Sequence, residues 1–195
     1  MTIRQKFLQF IYPVWMIIAK LIGRVKPVQV NENMTAPVQS FYDLNAVQND
    51  RMLFGFSSLK NKKILIVNTA SNCAYTNQYA DLEKLYQLHK DELIIIAFPA
   101  NDFKEEEKGK DEEIADFCKV NFGISFPIMQ KTVVVKKNNQ HEVFKWLTDA
   151  SKNGWNNQAP TWNFSKYLIN ENGILTHYFE PSVSPLDTEL LDATK

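Results

Sequence analysis

Cys73 is one of two cysteines in a chain of 195 residues, and it lies in the run NTASNCAYT, residues 68 to 76, just where an apolar stretch gives out. A thiol between a buried strand and a helix faces backbone N–H groups and the positive end of the helix dipole. Both stabilise a thiolate. A thiol so placed can have its pKa lowered toward or below neutrality, and the thiolate is the reactive form. A small apolar cysteine packed in a core would occupy the same place, and position alone does not separate the two. The second cysteine, Cys118, stands far downstream on a segment with helical patterning.

The elements around these thiols follow from the pattern of apolar residues. Lys63 to Asn68 (KILIVN) and Leu93 to Phe98 (LIIIAF) are continuous apolar runs of strand length, as expected of strands covered on both faces. Between them, residues 77 to 90 place Tyr79, Leu82, Leu85, Tyr86 and His89 at helical spacing. Residues 111 to 120 open with Asp111, Glu112 and Glu113, acids that favour a helix N-terminus. Strand, helix, strand, helix implies parallel pairing with right-handed crossovers. Phe41 to Lys63 reads as a hairpin-like entry, and a helix is expected over about residues 141 to 150. Then come strands at about residues 166 to 170 and 175 to 179, joined through Asn172-Gly173, and a last helix at residues 185 to 194. The predicted class is α/β, a thioredoxin-like fold with a central mixed sheet flanked by helices.

Upstream, Phe7 to Ala19 is uncharged and mostly apolar, with Arg4 and Lys6 before it and Lys20, Arg24 and Lys26 after it. It is shorter than the roughly 20 residues a spanning helix needs, and no small-x-small cleavage site precedes Lys26. Residues 1–26 are expected to act as a membrane anchor contacting a surface through residues 7–23, or as an export signal, or as a helix packed on the chain's own domain or a partner. Without such an anchor or signal, the chain is expected in the cytoplasm. Residues 27–40 read as a linker, and 41–195 as the catalytic domain. Basic and acidic residues number 22 each. Since the first 31 residues carry five bases and no acid, the remainder is mildly acidic, which excludes an electrostatic footprint for nucleic acid. Three scattered histidines give no metal signature, and scattered glycines give no nucleotide loop, so no metal and no cofactor are expected.

In a dithiol oxidoreductase of this fold a second cysteine would stand three residues after Cys73, but that position is Thr76. This points to oxidation of Cys73 by a small molecule. Three motifs then carry a resemblance: NTASNCAYTNQY at residues 68 to 79, FPANDFKEEEKGKDEEI at 98 to 114, and PTWNF at 160 to 164. From about Phe41 to the C-terminus the sequence resembles the cysteine-type, non-selenium glutathione peroxidases. The resemblance implies peroxide reduction by Cys73, with the Trp162 indole and the Asn163 amide as hydrogen-bond donors. It places Glu106 where the family has a glutamine. An ionised carboxylate there would raise the thiol pKa, so Glu106 is expected either to turn outward or to be held protonated as a donor.

By the same resemblance Cys118 matches the resolving cysteine of the thioredoxin-dependent members. It would attack the Cys73 sulfenic acid after local unfolding of its helix, since a disulfide needs Cα atoms within about 7 Å. Thioredoxin, rather than glutathione, is then the expected reductant, and the short segment before the tryptophan motif resembles the monomeric members. A peroxide sensor passing a disulfide to a partner, and a weakened membrane-attached binding module, are the rival readings.

Overall fold

In a computed structural model the described residues are 27–195 together with Thr2, Ile3, Gln5, Lys6, Phe7, Ile11, Val14 and Ile18. The reading of residues 7–23 as a membrane-contacting segment falls almost wholly outside them. Among the described residues no helix is long and apolar enough to cross a membrane.

The two apolar runs form β4 (Lys63–Thr69) and β5 (Leu93–Pro99), joined by α1 (Gln78–His89) and paired in parallel from Lys63↔Leu93 to Thr69↔Pro99. They follow β1 (Val28–Val30) and a two-stranded antiparallel hairpin, β2 (Asn45–Val47) and β3 (Leu53–Gly55). After β5 come α2 (Asp111–Phe122), α3 (Glu142–Leu147), α4 (Ala150–Asn153), β6 (Lys166–Ile169), β7 (Leu175–Phe179) and α5 (Thr188–Thr194). The main sheet runs β1-β7-β6-β4-β5 and is mixed: β6 is antiparallel to both β4 and β7.

Alternation along the strands sorts the core into two layers, one on each face of the sheet. Leu65, Val67, Ile95 and Ala97 pack with Tyr79, Leu82 and Leu85 of α1 and with Ile114 and Cys118 of α2. Ile64, Ile66, Ile96 and Phe98 pack with Phe144 and Trp146 of α3 and with Phe41 and Phe56 of the entry segment. Burying both faces of β4 and β5 is what the unbroken apolar runs require.

Two expectations are corrected. Residues 27–40 are not a free linker: β1 lies antiparallel on β7 with Val28↔Phe179, and Asn31 donates through Nδ2 to the Leu175 carbonyl at 3.0 Å. Three residues carry too little pattern to announce an edge strand whose partner is so distant in sequence. The helix expected over 141–150 is two short helices, because Asp149 takes the Ser151 N–H with its side chain and caps a new start at Ala150.

Candidate active site

The turn holding Cys73 is built by its neighbour at position 76. Thr76 Oγ1 accepts the Cys73 N–H at 2.9 Å and donates to the Ala70 carbonyl at 2.9 Å. Cys73 to Asn77 then lead as turns into α1, with Thr76 N–H on the Cys73 carbonyl at 3.2 Å. The residue that replaces a second cysteine therefore fixes the thiol's backbone.

On the opposite side stands the Trp162-Asn163 segment, and the residue that places it is one the sequence reading gave no role. Asn68, fully buried near the end of β4, donates through Nδ2 to the Trp162 carbonyl at 3.0 Å and accepts the Ser165 N–H at 3.1 Å. Phe164 N–H meets the Asn68 carbonyl at 2.6 Å, with Phe164 in the left-handed region at φ 67°. A polar residue ending a buried apolar strand was the available signal, because such a group must find partners. The Trp162 ring lies against Phe103, centroids 5.5 Å apart, under the Lys104 ammonium at 5.5 Å.

The third contributor is the turn of residues 103 to 107. Lys104 and Glu105 both have positive φ, 49° and 54°, a costly pair of left-handed residues that brings Glu106 back toward the thiol. Asn163 Nδ2 donates to Glu106 Oε2 at 2.9 Å, and Asn72 N–H reaches the Glu106 carbonyl at 3.1 Å. Glu106 therefore faces inward, and the outward alternative is excluded. A cleft of about 470 Å³ opens beside this turn, walled by Ser71, Asn72, Glu106 and Phe117.

Cys73 is 1 % exposed, and its thiol is pushed up to about 12. Burial is the main cause and the Glu106 carboxylate adds to it. The Tyr75 N–H, 3.5 Å from Sγ, and Trp162 pull the other way. Of the two readings left open by position, a lowered thiol and a buried one, the surroundings favour the buried one: the helix-start geometry is present, but desolvation and one negative neighbour outweigh it. Cys118, inside α2 and fully buried, is also raised to about 12 by burial, with the Tyr79 hydroxyl opposing. Both thiols are free and share one core cluster.

The structure thus gathers Cys73, Trp162, Glu106 and Asn163 at one place and sets Cys118 in the packing layer alongside. Residues 41–148 match the glutathione peroxidase family model. The chain belongs to the glutathione peroxidase family. It is a peroxidase-type oxidoreductase, a thiol peroxidase with cysteine at the reactive position. It is 42% identical to the glutathione peroxidase homolog BsaA of Staphylococcus epidermidis over 149 residues, 76% of this chain and 93% of that protein. It is 39% identical to glutathione peroxidase-like peroxiredoxin 2 of Saccharomyces cerevisiae over 154 residues, 77% of this chain and 94% of that protein. Among solved structures, Trgpx in its apo form superposes with TM-score 0.63 at 28% identity, covering 80% of this chain and 94% of the other. A DsbF homologue from Corynebacterium diphtheriae reaches 0.62 at 14% identity, covering 89% of this chain and 96% of the other, which bears out the thioredoxin-like fold.

Proposed function

We propose that this peroxidase works by a two-cysteine cycle with thioredoxin as its reductant. Cys73 Sγ attacks one oxygen of the peroxide, the O–O bond breaks, and Cys73 becomes a sulfenic acid. The proton lost from Sγ ends on the departing oxygen, so thiol plus hydroperoxide give sulfenic acid plus alcohol or water. The Trp162 indole and the Asn163 amide are the donors for the charge that develops on sulfur and on the leaving oxygen. Cys118 then displaces the sulfenic hydroxyl, giving a disulfide and water, and thioredoxin reduces that disulfide. The observation that carries this reading is the convergence of Cys73 with the Trp162-Asn163 segment, joined by Glu106 from a third segment, with the second free cysteine in the same core layer.

Glu106 holds the Asn163 amide in place but works against the thiolate. In Glu106→Gln the amide oxygen still accepts from Asn163, the new N–H₂ is a donor toward sulfur, and the charge that raises the Cys73 pKa is gone. A lower thiol pKa means more thiolate at a given pH. The rate constant for peroxide is therefore expected to stay level or rise, by up to about tenfold for each pKa unit recovered. Peroxide reaction rates of both forms between pH 6 and 9 check this, and a large loss in the variant would count against it.

The cycle itself is tested by intact mass after one equivalent of peroxide. Wild type is expected to lose two hydrogens as the disulfide forms. Cys118→Ser is expected to stop at a sulfenic acid that a dimedone reagent captures. Disulfide formation between two copies of Cys118→Ser, or no captured sulfenic acid, would replace the cycle with a relay to a partner.

A further inference from the structure

Glu107, next to Glu106, is 1 % exposed and has no part in the chemistry described so far. Its Oε2 accepts two hydrogen bonds from one residue, the Ser71 N–H at 2.8 Å and the Ser71 hydroxyl at 2.9 Å. Its own N–H is anchored on Asn101 Oδ1 at 3.0 Å. With the Asn72 to Glu106 backbone bond, these contacts clip the strand-end loop of Ala70 to Cys73 onto the 103–107 turn. The Ser71 carbonyl also takes the Gln5 side-chain amide at 2.9 Å. Glu107's charge is felt across the core as well, by Cys118 of α2 and by Tyr79 of α1. The carboxylate thus stands between the loop that carries one thiol and the helix that carries the other.

We propose that Glu107 is a positioning residue that latches the Ser71–Cys73 loop in its peroxide-reactive place, and that release of its two bonds to Ser71 gates the approach of Cys118 to Cys73. On this proposal the two thiols combine only once the pinned loop releases Cys73 toward α2. The loop must therefore move before sulfenic acid and thiol combine to give disulfide and water. Burial pushes the Glu107 carboxyl up to about 7 against the pull of the two Ser71 bonds, so the pair is charge-assisted and a strong local restraint above that pH, where the half-reactions are measured. It holds the thiol among its donors during the first step and slows the second.

This rests on the two-cysteine cycle, and two half-reactions separate the consequences. Ser71→Ala removes one bond and keeps the backbone bond. Glu107→Gln keeps the shape with a weaker, uncharged acceptor. In both, the rate of disulfide formation after a single equivalent of peroxide is expected to rise, by about tenfold for Glu107→Gln. The peroxide concentration that drives half of Cys73 to sulfinic acid is expected to rise in the same proportion, because faster resolution competes better with overoxidation. Asn153→Ala, a destabilising change in a separate hydrogen-bond cluster, is the control for general loosening and is expected to leave both readouts alone. Unchanged disulfide rates in both loop variants, or an equal gain in Asn153→Ala, would overturn the latch while leaving the cycle standing. A wild type that forms no disulfide would overturn both.

Discussion

Cys73→Ser is expected to lower peroxide consumption by at least about a thousandfold, with Cys118 intact and unable to take over. Proton affinity does not predict this contrast, since both thiols are buried and both are raised to about 12. The surroundings decide it. Cys73 Sγ has the Tyr75 N–H and Trp162 beside it, and the Asn163 amide is tethered through Glu106 next to the sulfur. These donors can follow negative charge from sulfur to the leaving oxygen. Cys118 has the Tyr79 hydroxyl and otherwise the apolar packing of α1 and α2. Among the described residues a peroxide at Cys118 would meet one donor, the Tyr79 hydroxyl, in place of the Trp162 and Asn163 pair, and it would have to enter a closed core to get there. Loss of peroxide with time, together with the mass of the variant, checks the claim: Cys118 should stay unmodified. Consumption close to wild type would move the reactive thiol to Cys118.

What the chain discloses before folding depends on how local the cause is. β4 and β5 announce themselves because burial on both faces forces an unbroken apolar run, and their parallel register follows from the helix between them. The turn between β6 and β7 is equally legible: Gly173 has φ +76°, and a Cβ there would stand 2.8 Å from the Tyr42 ring. β1 was hidden because its only warrant is β7, about 150 residues away. In the site, the residue types and their order could be read, and the position of Cys73 before a helix was right. Its electrostatic state could not be read. The helix-start effect is local and visible, whereas desolvation comes from segments that meet only in the fold. The direction of Glu106 hangs on two left-handed residues, Lys104 and Glu105, neither of which is a type that advertises that conformation. Asn68, Thr76 and the Ser71–Glu107 pair are polar residues whose partners define them, so their roles appear only with the contacts.

Lys166→Met is expected to destabilise the fold by about 3 kcal/mol while leaving the reactivity of the folded protein within about twofold of wild type. β6 is buried along its whole length, and Lys166 at its start has no exposed surface. Its ammonium donates to the Pro181 carbonyl at 3.3 Å and to the Val183 carbonyl. Gln78 of α1 reaches the same Pro181 carbonyl at 2.7 Å, so the loop leading to α5 is tied to both sheet and helix. Methionine has nearly the length and volume of the lysine stem, and packing should survive the change. Replacing a buried charge with an apolar residue is often harmless when its partner can be replaced too. Here the Pro181 and Val183 acceptors are backbone carbonyls, which no substitution removes. Val183 would lose this donor in a closed site, and the Asp81 carboxyl, which Lys166 helps to keep ionised, would lose a favourable charge. The loss of this donor at Val183 and of the charge beside Asp81 should therefore exceed the relief from no longer burying an ammonium. Urea unfolding of both forms measures the difference through a lower midpoint at unchanged slope. Equal midpoints would mean that desolvating the ammonium already cancels everything its bonds contribute.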